Sequence, residues 1–408
     1  MGAAEKALRV TRGGLSAVGG VQAAGVACGL KKDGRSDLAL VVADGPATVA
    51  ATFTLNRVRA APIVVSKRHL RGGRFAAIVL NSGNANACTG PQGLRDAEAT
   101  AAEAARLLGR PVGEVFVAST GVIGRRLDMG AVRMGIREAA KALAPGGGGR
   151  AARAIMTTDT VAKEAAVRFS VGRARVTVAG MAKGSGMIAP HMATMLAVIA
   201  TDATVESRLL RAALREAVGG SFNRITVDGD TSTNDMVLCF ATGAAGAPPL
   251  AADSRAFRTF RRALDQVCLA LAKMIARDGE GATKLAEVCV RGARSVREAR
   301  RAAETVATSP LVKTTLFGED INWGRIMAAL GRSGARFDPD RVAIRVDRVP
   351  VVQNGVSLGP RAEAAANRRL RRREFALTVT LHAGRAEARL WTTDLSEAYV
   401  RINAGYRS

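Results

Sequence analysis

The sequence predicts a layered α/β body, and three observations lead there. Short apolar runs alternate with glycine turns through the opening third. Later strand-like and helix-like runs mix without strict alternation, which favours stacked layers over a doubly wound parallel sheet. One stretch, AFRTFRRALDQVCLALAKMIARDGEG, has sustained amphipathic helical spacing. With 408 residues, 48% of them hydrophobic, the chain can fill either two lobes or one large body.

In order along the chain, DLALVVAD, ATVAATFT, APIVVS and FAAIVLNSG read as strands between turns. DAEATAAEAARLLG, around Arg95 to Leu108, is a helix ended by glycine. VFVAST is a strand that delivers the chain to TGVIG. MGAVRMGIREAAKALA is a helix, which APGGGGR stops. ARAIMTTDT enters the core, and RARVTVAGMAKGSG is a strand running into a turn. A helix follows from about Glu206 to Val218, then the strand NDMVLCFATG and the long amphipathic helix. LAEVCVRG, RVAIRVDRV, FALTVTLHAG and AEARLWTTD are further strands, while RGARSVREARRAAETV and INWGRIMAALG are helices. A lobe boundary is expected either between Gly180 and Asp202 or near Val290 to Val306.

Composition excludes several function classes. The formal charge of +25 suits a nucleic-acid surface in principle, but the basic residues are dispersed and aromatics make up only 4%. The densest basic string, RRLRRRE, reads as a solvated helix face or loop, so no nucleic-acid partner is expected. The five cysteines form no CxxC pair and read as reduced, buried thiols. His69, His191 and His382 are isolated, so no metal site is expected. The N-terminus lacks a signal peptide's apolar core, and Pro190 and His191 interrupt the uncharged run Gly184 to Thr201. The expectation is a soluble cytoplasmic protein without membrane contact.

No glycine-rich string has phosphate-loop spacing; GEGATK at Gly279 to Lys284 lacks GxxxxGK[ST]. KGSG reads first as a turn requiring positive φ. Just past it, in MIAPHMATML, stands Thr194. As an internal residue it is either a packed hydroxyl or a poor nucleophile. Breaking the Ala193–Thr194 bond changes this: the new α-amine, with a reference pKa of about 8, belongs to the residue that carries the hydroxyl and can act as its base.

KGSGMIAPHMATMLAVIATDA resembles the signature of the ornithine acetyltransferase (ArgJ) family. LNSGNANACTG, ASTGVIG, TTDT, VDGDTSTND, DGEGATK and YVRINAGYRS extend the resemblance over essentially the whole chain, in family order. The resemblance implies an α/β sandwich with a self-cleaving N-terminal-threonine nucleophile. Cleavage between Ala193 and Thr194 would give fragments 1–193 and 194–408, held together as a heterodimer and assembled as a heterotetramer. It implies Thr194 as nucleophile and Thr120 and Gly121 as oxyanion hole. Thr157, Lys183, Thr194, Glu280, Asn403 and Ser408 are the implied substrate-binding residues. On this reading Lys183 pairs with an amino acid's α-carboxylate and Glu280 with its ammonium.

The implied reaction is ping-pong transfer of acetyl from N-acetylornithine to glutamate through an acetyl-threonine ester, without a cofactor. Bifunctional members also take acetyl-CoA, and no residue decides that point here. A related N-terminal-nucleophile amidase or aminopeptidase is the competing activity. Two positions depart from the family pattern: His191 stands where asparagine is common, and Ser408 where the chain usually ends in threonine.

Overall fold

The computed structural model describes residues 8–190 and 195–405. His191, Ala193, Thr194 and Ser408 therefore lie outside the described residues.

The chain opens with strands β1 (Arg9–Thr11), β2 (Val21–Val26) and β3 (Leu38–Phe53), then helix α1 (Ala61–His69) and β4 (Arg74–Asn81). Next come α2 (Gly90–Leu108), β5 (Val115–Ser119), α3 (Met129–Lys141) and α4 (Gly148–Ala154). They lead to β6 (Lys163–Val171), β7 (Ala174–Lys183) and β8 (Leu196–Thr201). Beyond these lie α5 (Ser207–Gly220), β9 (Ile225–Thr226), β10 (Met236–Ala241), α6 (Arg255–Arg277) and β11 (Leu285–Ala293). Helices α7 (Val296–Ala307), α8 (Pro310–Phe317) and α9 (Trp323–Gly331) precede β12 (Ala343–Val346), β13 (Val349–Gln353) and β14 (Val356–Ser357). The chain continues through α10 (Pro360–Leu370), β15 (Glu374–Thr380), β16 (Ala386–Thr393) and α11 (Glu397–Gly405).

These elements form the expected layers. A nine-stranded mixed sheet runs β1-β6-β7-β8-β10-β3-β4-β5, with β2 on β3; a seven-stranded sheet runs β14-β13-β12-β15-β11-β16-β9. Alternation divides the first sheet's side chains between two cores. Val178, Ile199, Val237 and Cys239 pack with α5 and α6, whereas Met181, Val198, Leu238 and Phe240 face α4. Helix α6 starts where the Ser254 side chain accepts the Phe257 N–H, and buries Phe260, Leu264, Val267, Leu271 and Ile275 at helical spacing. At about 1.5–3 kcal/mol per buried side chain, this face is the helix's main source of stability. Leu285 and Trp391 of the second sheet join the same core.

Three expectations need correction. APIVVS is helix α1 rather than a strand: a short apolar run does not declare its period, and Pro62 favours a helix's first turn. Its Ser66 hydroxyl donates to the Val117 carbonyl at 2.7 Å and accepts the Val117 N–H at 2.9 Å, pinning α1 to β5. DLALVVAD and ATVAATFT form one strand, β3, because a register shift between Val42 and Ala47 absorbs Gly45 and Pro46. The glycines of APGGGGR do more than stop a helix. Gly147 lies against the Ala23 carbonyl where no Cβ fits, and α4 begins at Gly148. Cys88 is exposed, whereas the other four cysteines are buried as expected.

The candidate boundary from Gly180 to Asp202 falls within one sheet, since β7 and β8 pair directly with Lys183 opposite Leu196. The RRLRRRE arginines are mainly exposed on α10 and the turn after it. Among the described residues, no helix is long and apolar enough to cross a membrane.

Candidate active site

The site forms where the ends of several strands meet. Parallel strands β4 and β5 deliver two turns side by side, NSGNA and STGVIG. Thr120 N–H donates to the Asn81 carbonyl at 3.0 Å, and Asn84 bridges to both Thr120 and Val122. Gly121 adopts φ +128°, and a Cβ there would collide with the backbone of Gly83 and Asn84. Only glycine fits that crossing without strain.

Strand β7 brings Lys183 to the same place, and the KGSG turn follows. The Lys183 ammonium is 3.4 Å from the Thr120 hydroxyl and 3.9 Å from Asp159. Burial lowers the Lys183 pKa, and Asp159 opposes that shift. Asp159 organises the surroundings. It accepts Lys163 at 2.7 Å and the Gly184 N–H at 2.7 Å on one oxygen, and the Thr157 N–H at 2.9 Å on the other. Burial works against the Asp159 charge, but Lys183, Lys163 and these hydrogen bonds outweigh it and hold the carboxyl well below its usual range. Lys163 also binds Asp278 at 2.5 Å, tying TTDT to the end of α6.

Beyond α6, the Glu280 N–H donates to the Ser185 carbonyl at 2.8 Å, and its carboxylate lies over Gly186. Asn403, on α11, donates to that carboxylate at 2.9 Å. The C-terminal stretch thus folds back as a helix through Gly405, and Asn403 reaches the pocket.

One cleft is lined by Thr120, Gly121, Thr157, Lys183, Glu280 and Asn403, together with the 232–234 segment before β10. All the expected site residues among the described ones meet here, from positions 283 residues apart in the chain at the extremes. The chain resumes at Met195, whose N–H donates to Asp235 Oδ1 at 2.8 Å.

Sequence reasoning missed Asp159, Asp235 and Asn234. The Asn234 amide donates to the Ala85 and Ser119 carbonyls at 2.7 and 2.8 Å, joining the two turns to β10. All three lie inside quoted motifs, but residue type alone did not separate them from neighbouring polar residues. Asp235 is fully buried, and burial pushes its carboxyl up to about 7.

The profile of the ArgJ family matches residues 22–408. The "Arginine biosynthesis bifunctional protein ArgJ" of Symbiobacterium thermophilum is 52% identical over 398 residues, covering 97% of this chain and 99% of its own. The protein of the same name from Geobacter sulfurreducens is 49% identical over 391 residues, covering 96% and 100%. The crystal structure of the Bacillus halodurans protein so named is 42% identical, with a TM-score of 0.48, over 50% of this chain and 96% of that one. A family profile spanning nearly the whole chain, with relatives this similar end to end, is decisive: the chain belongs to the ArgJ family.

Proposed function

We propose that this chain transfers the acetyl group of N-acetylornithine to glutamate through an acetyl ester on Thr194, after cutting its own Ala193–Thr194 bond. It is an ArgJ-type N-acetyltransferase of arginine biosynthesis; the residue roles are our reading. The observation that carries them is the convergence of an anion-stabilising turn, a buried lysine and a carboxylate–amide pair on one cleft. The strand that begins two residues after Thr194 starts opposite Lys183.

The Thr194 hydroxyl attacks the Ala193 carbonyl, giving an ester by N→O acyl shift, and water then hydrolyses it. Fragments 1–193 and 194–408 stay together, because β8 and β10 of the second lie between β7 and β3 of the first. Parting them would split one sheet and both of its cores. Pairing of two such heterodimers would give the heterotetramer.

In the mature enzyme the Thr194 α-amine takes the hydroxyl proton as Thr194 Oγ attacks the acetyl carbonyl. The Gly121 N–H and Thr120 hydroxyl stabilise the oxyanion. Lys183, donating to Thr120 Oγ, leaves the hydroxyl proton free to point at that anion and adds positive charge in a dry setting. The tetrahedral intermediate collapses, and the departing ornithine amine takes the proton. Glutamate's amine then attacks the ester and leaves as N-acetylglutamate. Glu280, held by Asn403, receives the α-ammonium of the bound amino acid, and Thr157 lines the same cleft; Ser408, outside the described residues, is assigned to substrate binding by the family resemblance alone.

The test is intact-mass analysis with a transfer assay. The wild type is expected to give the two fragments, and Thr194→Ala to stay whole and inactive. A single intact wild-type band at neutral pH, or full transfer by Thr194→Ala, would refute the roles. Water replacing glutamate as preferred acceptor would indicate the amidase class. Parallel assays with acetyl-CoA plus glutamate decide whether that donor is also used.

A further inference from the structure

A second concave site lies over the end of β3, between helices α1 and α5. It shares no lining residue with the catalytic cleft. Six of its lining side chains are cationic: Arg59, Lys67, Arg68, Arg71, Arg211 and Arg215. Among the described residues, none that lines it is acidic. Arg68 pairs with Glu98 at 2.7 Å, and the other five cations make no ion pair among the described residues. Glu216, next to Arg215 in the chain, is taken by Arg261.

Such a gathering of like charge costs stability. Arg211 and Arg215 stand one turn apart on α5, where like charges repel. Helix α1 carries no acidic residue, and Lys67 and Arg68 fall in its last turn. Basic side chains elsewhere do find carboxylates: Arg106 and Arg137 share Glu103, and Arg389 reaches both Glu287 and Glu387. The unpaired ones here line a concavity, where low-dielectric walls concentrate their field on whatever enters.

The chemistry of the lining selects the occupant. A dicarboxylate such as glutamate brings too little charge for five cations. A phosphate chain brings more, and a guanidinium fork matches its oxygens two at a time. The remaining lining is not ionic. Ala51, Ile63 and Leu70 form an apolar wall. Beside it, Thr52 Oγ1 and Asn223 Oδ1 are buried with no hydrogen-bond partner among the described residues. Buried polar atoms left in that state call for an explanation. A planar, largely apolar group with an N–H donor fits the wall and gives Asn223 Oδ1 its partner.

We propose that the groove between α1 and α5 binds a nucleoside polyphosphate, its phosphates on the cations and its base against the apolar wall and Asn223. The site is separate from the acetyl-transfer chemistry but joined to its framework. Thr54 and Arg59 line the groove and belong to the connection from β3 to α1. Along that connection the Thr54 and Ala60 N–H groups donate to the Asp235 and Thr233 carbonyls, both at 3.0 Å, and Thr233 lines the cleft.

The experiment is isothermal titration calorimetry of the purified protein at about 0.15 M salt, where diffuse attraction is screened. ATP, adenosine and inorganic tripolyphosphate are titrated into wild type, a Lys67→Glu, Arg211→Glu double variant, and Arg368→Glu. Arg368 is an exposed member of the basic string on α10. ATP is expected to saturate its site and to bind about tenfold tighter, or more, than tripolyphosphate or adenosine. The double variant should weaken ATP by about 100-fold, and Arg368→Glu by less than about twofold. Absence of saturable ATP binding overturns the proposal. So does an equal loss in Arg368→Glu, which would make the attraction a property of the net charge. Tripolyphosphate binding as tightly as ATP removes the nucleoside from the site and overturns it as well. Thermal melts without ligand show whether the variants are folded. Should the double reversal not fold, Lys67→Gln with Arg211→Gln replaces it: a loss of about tenfold in ATP affinity supports the site, and an unchanged affinity overturns it.

Discussion

Gly121→Ala isolates the backbone half of the proposed anion-stabilising pair. Gly121 holds φ +128°, and an added Cβ would lie 2.6 Å from the Asn84 nitrogen and closer still to the Gly83 carbonyl carbon. Ordinary contact begins near 3.4 Å, so the methyl overlaps backbone by roughly 1 Å. Neither neighbour is a flexible side-chain end. The STGVIG and NSGNA turns must part, and the Gly121 N–H moves by a similar distance. Misplacing a catalytic group by 1 Å costs about 100-fold, or about 2.7 kcal/mol in activation free energy. The strained φ should also lower folding stability by about 1–3 kcal/mol.

The assay is steady-state acetyl transfer from N-acetylornithine to glutamate, with a denaturant melt of the same sample. A kcat about 100-fold lower with KM little changed is expected. Gly186→Ala provides the contrast. Its Cβ meets the carboxylate end of Glu280, which can swing away, so KM should rise while kcat changes less. A folded Gly121→Ala enzyme retaining more than about half of wild-type kcat would refute the reasoning.

Three further outcomes are expected. In the uncleaved Thr194→Ala background, the Asp235 carboxyl is raised to about 7 by burial, so the folded state holds its proton more tightly than the unfolded chain. Stability is then lost as pH rises from about 4 to 7, on the order of a few kcal/mol; Asp235→Asn should flatten that slope in melts taken across the range. Lys163→Met should cost about 3–5 kcal/mol in denaturant melts, since it strips Asp159 and Asp278 of a buried ammonium. Brief alkylation of the native protein, read by peptide mass, should label Cys88 first. Cys28, Cys239 and Cys268 are buried, and burial pushes their thiols up, to about 12 for Cys28 and Cys239.

Much of the fold was legible because its signals are local. The amphipathic spacing of α6, the glycine that ends α2, and the alternating strands of the second sheet are written in consecutive residues. Errors arose where a local signal has two readings. APIVVS has β-branched residues like a strand, but Pro62 and the Ser66 bond to β5 settle it as helix. Gly45 and Pro46 suggest a turn between strands, and only pairing with β4 on either side of them carries β3 through.

The sequence by itself determined the layered α/β class, the family motifs, and the residue types that can stabilise an oxyanion and bind an amino acid. The tertiary structure decided which of those motifs share a cleft. Glu280 meets Asn403 across 123 positions, and Lys183 meets Thr120 across 63. It also decided which carboxylates matter. Asp159 and Asp235 resemble any other aspartate in the chain. Their roles come from burial, which raises the energy of an unpaired charge until a specific partner offsets it. No stretch of consecutive residues encodes burial, because it is set by what the rest of the chain packs around a group.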